Sequence, residues 1–369
     1  MNDRFRNLVY GLAFAIMIGY ILHIGKPIFI PIISGIISVY ILSTIASALG
    51  RVPVVGSLIP LWLRNVTALL LFIFLAVLMI FLFAENVQRI VALAPQYQST
   101  LLLFIGDVAN YLGIDDEPSW DTIRNLFLGN VNLQRVISTT VTSVGSFAGQ
   151  IFVVIFYATF LIAERLHLPR KIMLAAGSRN DAETAMDVVG SVNQRIGEYL
   201  TLKTLVNVML GLISYVAMLA IGLDFAGFFA VFIGVLNYIP YVGSMVGVAA
   251  PVLLAAAQFG SIPSLLFVFV TLTASQMFMG GVVEPRLFGR SLNLSPFIIL
   301  ISLTVWYAIW GVAGAILAVP MTSVVVIVLA AFEPTRPIAI LLSSDGRIGK
   351  DWAKQPFAEA ADRKGMTSS

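Results

Sequence analysis

Residues Phe225–Gln258 read FAGFFAVFIGVLNYIPYVGSMVGVAAPVLLAAAQ. The tract is apolar nearly throughout, yet its 34 residues are too few for two full membrane crossings, which need roughly 40 residues and a turn. Its middle, Asn237-Tyr-Ile-Pro-Tyr-Val-Gly243, is a poor segment for a continuous helix. A hairpin of two half-helices, tipped by Ile239–Gly243, fits the length. That reading decides the fold class: an all-α, polytopic helical membrane protein with re-entrant or broken helical hairpins in its C-terminal half.

Composition agrees. Of 369 residues, 59% are apolar and only 11% are charged, against about 25% charged in soluble domains; mean hydropathy is +0.95. Stretches long enough to cross the hydrocarbon core are Leu8–Gly25, Pro27–Ala48, Val66–Ala84, Phe147–Ala163, Thr204–Leu223 and Pro263–Val283. The first reads as an uncleaved span, since its apolar run is longer than a signal-peptide core and no A-x-A site follows. Net charge is +3 and the pI is about 9.1. The cations flank apolar runs, which predicts a lipid bilayer as partner and no nucleic acid.

Lys and Arg also set orientation. Arg4 and Arg6 precede the first span, Arg51 and Arg64 follow the second, and Glu164–Lys203 carries six more cations. The acid-richer stretch Glu85–Ser146 falls on the opposite side, with amphipathic runs at Leu101–Leu112, Ile123–Leu128 and Val131–Val144 that predict helices lying on the outer face. Both termini read as cytoplasmic. Thr204–Leu223 then leaves the cytoplasm and Pro263–Val283 returns to it, because Arg286 and Arg290 follow. Phe225–Gln258 must therefore begin and end outside.

Ser295–Phe332 repeats the logic from the cytoplasmic side around Trp310-Gly-Val-Ala-Gly314, with two short tilted crossings as an equal alternative. Asp224 stands where an N-cap would precede the first half-helix, and Ser295-Pro296 is a cap followed by proline at the first helical position. Asn180–Lys203 reads as an amphipathic cytoplasmic helix leading into Thr204. The expected organisation is N-terminal spans over 1–84, an extracytoplasmic segment over 85–146 and a span with a cytoplasmic helix over 147–203. A transport core follows over 204–332, then a tail over 333–369.

Broken helices at membrane depth persist where they are buried in protein or line a wet cavity, and transporters bind polar solutes at such breaks. The candidate substrate pathway is therefore Asn207, Asn237, Tyr238, Pro240, Tyr241, Gly243, Ser244 and Gln276, with the alternative that the tip only satisfies its own turn. Amides leave more hydrogen-bonding demand than hydroxyls, which singles out Asn207 and Gln276. Intramembrane carboxylates would mark ion coupling. Asp224 and Glu284 are the candidates, with an N-cap and a snorkelling pair to Arg286 as their plainer readings. Glu198 lies beside Arg195. With no cysteine, no metal-spaced histidines and no G-x-S-x-G, HExxH or phosphate loop, the chain reads as a non-enzyme with no cofactor and no metal.

Gly222-Leu-Asp-Phe225, Asn237-Tyr-Ile-Pro-Tyr-Val-Gly243, Val283-Glu-Pro-Arg-Leu-Phe-Gly289, Leu294-Ser-Pro296, Gly311-Val-Ala-Gly314 and Ala318-Val-Pro320 together resemble the autoinducer-2 exporter family of bacterial membrane proteins. The resemblance implies a multi-span, homo-oligomeric secondary transporter that exports a small polar solute, autoinducer-2 or a similar quorum signal, by alternating access. Some members are assigned sodium–proton antiport, and a non-transporting scaffold is the reading from another class. The resemblance adds Pro285, Gly289, Pro296, Gly311, Gly314 and Pro320 as gating or hairpin residues. One departure is Met279, where many relatives carry a polar or acidic residue; it weighs against cation coupling there.

Overall fold

The computed structural model describes residues 3–50, 60–111, 133–164, 167–288, 293–344 and 346. Among them no strand occurs; a single bridge joins Leu294 to Ser343. The helices are α1 (Asp3–Ile24), α2 (Lys26–Gly50), α3 (Leu61–Tyr111), α4 (Leu133–Glu164), α5 (Leu168–Ala175) and α6 (Arg179–Ile221). They continue with α7 (Ala226–Leu236), α8 (Val242–Phe259), α9 (Ile262–Phe278), α10 (Glu284–Phe288), α11 (Pro296–Trp310), α12 (Val312–Ala331) and α13 (Arg336–Leu342). A π-helical turn, Met279–Val283, links α9 to α10.

Among the described residues, six helical stretches are long and apolar enough to cross a membrane: Lys26–Ser43, Val66–Ile90, Arg179–Ile221, Val242–Phe259, Ile262–Phe288 and Val312–Ala331. The apolar part of α1, Val9–Ile24, is shorter than these. The amphipathic runs predicted as helices are helical where described, but they do not stand apart from the spans. In the run Leu101–Leu112, residues 101–111 are not a new helix but the end of α3, 51 residues long, about 77 Å. The run Val131–Val144 likewise continues from Leu133 without a break into the Phe147–Ala163 span as α4. Ile123–Leu128 lies outside the described residues, as does Gly289. Backbone hydrogen bonding within a helix does not depend on which solvent surrounds it, so a change from apolar to amphipathic sequence need not end the helix.

Both C-terminal tracts are broken helical hairpins with unequal arms. In the first, α7 has 11 residues and α8 has 18, about 16 and 27 Å. The break is Asn237–Tyr241, and Val242 and Gly243 already belong to α8. In the second, α11 has 15 residues and α12 has 20, about 22 and 30 Å. It turns at Gly311, whose φ of 64° and ψ of −142° suit only glycine. Ser295 holds the cap position with Pro296 behind it, in extended backbone and without a side-chain cap bond.

The chain forms two compact units. The first holds Met1–Leu69, Phe152–Leu202 and Phe288–Ser369. In its core Ile196, Tyr199 and Leu200 of α6 pack with Leu294, Val319, Val326 and Ala339. A second cluster joins Trp306, Trp310, Leu317 and Ala318. There Trp310 Nε1 donates to the Leu22 carbonyl at 2.9 Å, Trp306 Nε1 donates to Thr322 Oγ1 at 3.0 Å, and His23 Nδ1 lies 3.0 Å from the Ile309 carbonyl. Pro320 is buried inside α12, where a transmembrane helix tolerates the lost N–H. The second unit holds Leu70–Ile151 and Lys203–Leu287, and with them the first hairpin.

Candidate functional site

In the second unit, α7 lies between α6 and α8, and small residues set the approach. A Cβ on Gly211 would stand 3.1 Å from the Ala230 carbonyl, and one on Gly234 would stand 3.1 Å from the Asn207 carbonyl. On the other side, a Cβ on Gly247 would meet Ile233 at 3.6 Å and Gln276 Nε2 at 3.9 Å. Backbones that close are the packing that glycine permits between apolar helices. The Asn207 backbone thus meets α7 at Gly234, and the Gln276 amide lies against α8 at Gly247.

The tip of the hairpin is tied to α6. Asn237 Nδ2 donates to Asn207 Oδ1 at 2.8 Å, and the Tyr238 and Thr204 hydroxyls share a bond of 2.6 Å. Ser244 spends its hydroxyl on the Tyr241 carbonyl at 2.8 Å. Pro240 closes the turn, its carbonyl accepting from the Val242 N–H at 2.6 Å. Tyr241 has φ 61°, a sparsely populated region for a residue with a Cβ. Its side chain is exposed.

After these bonds are made, two buried amide nitrogens have no acceptor among the described residues: Asn207 Nδ2 and Gln276 Nε2. Asn207 itself is 3% exposed. A buried donor left unpaired costs about 1–3 kcal/mol.

The carboxylates have other employment. Glu284 accepts from Lys203 Nζ at 2.7 Å, with side-chain exposures of 30% and 6%. The snorkelling pair with Arg286 is thus corrected: among the described residues no ion pair joins Glu284 to Arg286, because the buried ammonium of Lys203 needs the charge more. Asp224 is not the N-cap of α7 either. Phe225 holds that position with φ 57° and no side-chain bond. The Asp224 carboxylate accepts from Tyr97 at 2.8 Å, while its backbone N–H donates to Gln258 Oε1 at 2.8 Å and Gln258 Nε2 donates to the Gly222 carbonyl at 2.9 Å. This network fastens the extension of α3 to the base of the hairpin. Burial, and then Asp224, holds the Tyr97 phenol well above the usual tyrosine range. Tyr97→Phe should lower the thermal midpoint in detergent by a few degrees, the effect of one lost bond worth about 1 kcal/mol. An unchanged midpoint would remove the clasp.

Pro285 is exposed at the start of α10 and Met279 is buried in the π turn. Pro296, Gly311, Gly314 and Pro320 belong to the hairpin of the first unit. Sequence reasoning missed Lys203, Thr204, Tyr97 and Gln258. For Lys203 a signal existed: it lies four residues before Asn207, on the same helix face, and Asp224 and Glu284 are the only acids between Thr204 and Phe332. Among the described residues no cluster of metal-ligating side chains occurs.

Residues 12–333 match the family described as AI-2E family transporter. The AI-2 transport protein TqsA of Escherichia coli (strain K12) is 26% identical over 342 residues, covering 90% of this chain and 96% of TqsA. Two further relatives carry provisional transport assignments. A Borreliella burgdorferi protein is 28% identical over 240 residues, 64% of either chain and so just under two thirds of that relative's length. YhhT of E. coli (strain K12) is 24% identical over 265 residues, 70% of this chain and 73% of YhhT. With a match over nearly its whole length and a helical, multi-span fold, the chain belongs to the AI-2E family of membrane transporters.

Proposed function

We propose that this transporter exports a small, polar, oxygen-bearing metabolite resembling autoinducer-2, by alternating access across the bacterial inner membrane, with both termini cytoplasmic. The supporting observation is the pair of buried amide nitrogens beside the broken hairpin, Asn207 Nδ2 and Gln276 Nε2, that have no acceptor among the described residues. Hydroxyl or carbonyl oxygens of a solute supply that acceptor. Asn237 holds the Asn207 amide in place, so that its free nitrogen is already oriented when the solute arrives. The relative TqsA is named an AI-2 transport protein. The tie of Glu284 to Lys203 occupies that carboxylate and favours a solute path over a cation path.

Flux into proteoliposomes, measured for a panel of small hydroxylated metabolites, tests the reading. Asn207→Ala and Gln276→Ala should each lower the flux of the preferred solute by on the order of tenfold, one hydrogen bond's worth. Asn237→Ala should lower it too, by releasing the Asn207 amide. Wild-type flux in the folded Asn207 and Gln276 variants would refute the site.

A further inference from the structure

Helix α5, Leu168–Ala175, follows α4 after a break of three residues and turns 67° away from Gly149–Glu164. It reads LPRKIMLA, and among its residues none is buried. Successive positions advance by about 100°, which places Leu168, Pro169, Ile172 and Met173 on one arc and Arg170 and Lys171 on the other, with Leu174 between the two cations. Met173 is 61% exposed. Lys171 is paired with Glu164, whereas Arg170 is exposed and bonded to nothing among the described residues.

The helix α4 has 32 residues, about 48 Å, and its apolar end Gly149–Glu164 reaches the length of a span only jointly with α5, as a broken span or re-entrant loop. The charge of α5 decides against that joint crossing. Two cations in eight residues belong at headgroup level rather than in hydrocarbon. An exposed apolar arc with a basic flank, joined to the end of a membrane helix and bent out of its line, meets the bilayer surface by geometry alone.

We propose that α5 is an interfacial anchor that binds anionic phospholipid headgroups through Arg170 and sinks Ile172 and Met173 into the acyl boundary. The anchor fixes the height of the segment that leads into α6, the helix bearing Lys203 and Asn207.

The chain has no cysteine, so one introduced thiol can be labelled uniquely. Full-length Met173→Cys and Leu174→Cys proteins, each spin-labelled, are reconstituted in phosphatidylcholine vesicles with or without phosphatidylglycerol, and label depth is read from collision with oxygen against a water-soluble nickel chelate. The label at 173 should lie about 5–10 Å inside the headgroup boundary and the label at 174 should lie higher, in the aqueous zone. Phosphatidylglycerol should deepen the 173 label or immobilise it further, and Arg170→Gln should abolish that response while leaving solute flux measurable. The charge is worth about a fivefold shift in the docked-to-undocked ratio. Equal aqueous exposure at 173 and 174 in both lipids would overturn the proposal. So would burial at 173 that ignores lipid charge and instead tracks protein density, which would put a second copy of the chain there.

Discussion

Replacing Gly243 by alanine is expected to destroy the first hairpin and, with it, transport. The new Cβ would stand 1.8 Å from the carbonyl oxygen of Leu236 and 2.5 Å from its carbon. Both are backbone atoms at the end of α7, so no side-chain rotation relieves them. The Leu236 carbonyl also receives the Ile239 N–H at 2.8 Å, and moving it breaks the turn that brings Asn237 to Asn207. Overpacking against fixed backbone costs about 3 kcal/mol or more. The measurements are thermal unfolding in detergent and vesicle flux, and both should fall sharply. Gly314→Ala should do the same in the other hairpin, where the Cβ would lie 1.9 Å from the Trp306 carbonyl oxygen. Gly280→Ala is the control: nothing lies within 4 Å of its Cβ, and the variant should unfold like the parent. If Gly243→Ala matches that control, the hairpin geometry is wrong.

These glycines show which parts of the molecule local sequence could reveal. The break at Asn237–Tyr241 was legible because Pro240 and the glycine after it act on their own backbone. The same holds for the turn at Gly311. Helix length was less legible. Apolar runs reveal where lipid begins and ends, whereas α3 passes Ala84 and α6 passes Lys203 without interruption. Side-chain partners were the least legible, because they are far apart in the chain. Asp224 finds Tyr97 across 127 positions and Lys203 finds Glu284 across 81. A local reading assigned each carboxylate to the nearest plausible role, a cap or a neighbouring arginine. Burial reversed both assignments, since a cation or phenol withdrawn from water takes the strongest acceptor within reach. The amides Asn207 and Gln276 stood out in the sequence for their bonding demand. Which of their atoms go unpaired depends on packing through Gly234 and Gly247, and that packing is tertiary.

Glu284→Gln should be among the most destabilising single changes outside the glycines. The Lys203 side chain is 6% exposed, and its ammonium would lose the negative charge it is paired with. Breaking a buried ion pair from one side costs about 3–5 kcal/mol, because the remaining charge stays desolvated. Lys203→Met should cost less, since Glu284 is 30% exposed and its charge can still reach water. The double variant Lys203→Met with Glu284→Gln should recover most of the loss, as removal of both charges restores a neutral interior. Thermal unfolding of the four proteins in one detergent forms the cycle, and additive losses would show that the two side chains do not interact. The same cycle run on flux separates structure from transport. Lys203 lies one helical turn from Asn207, so a double variant that is stable yet transports poorly would give the ion pair a part in the solute path. One that is stable and transports normally would make it a strut that holds α10 against α6, and the amides alone would then carry the binding.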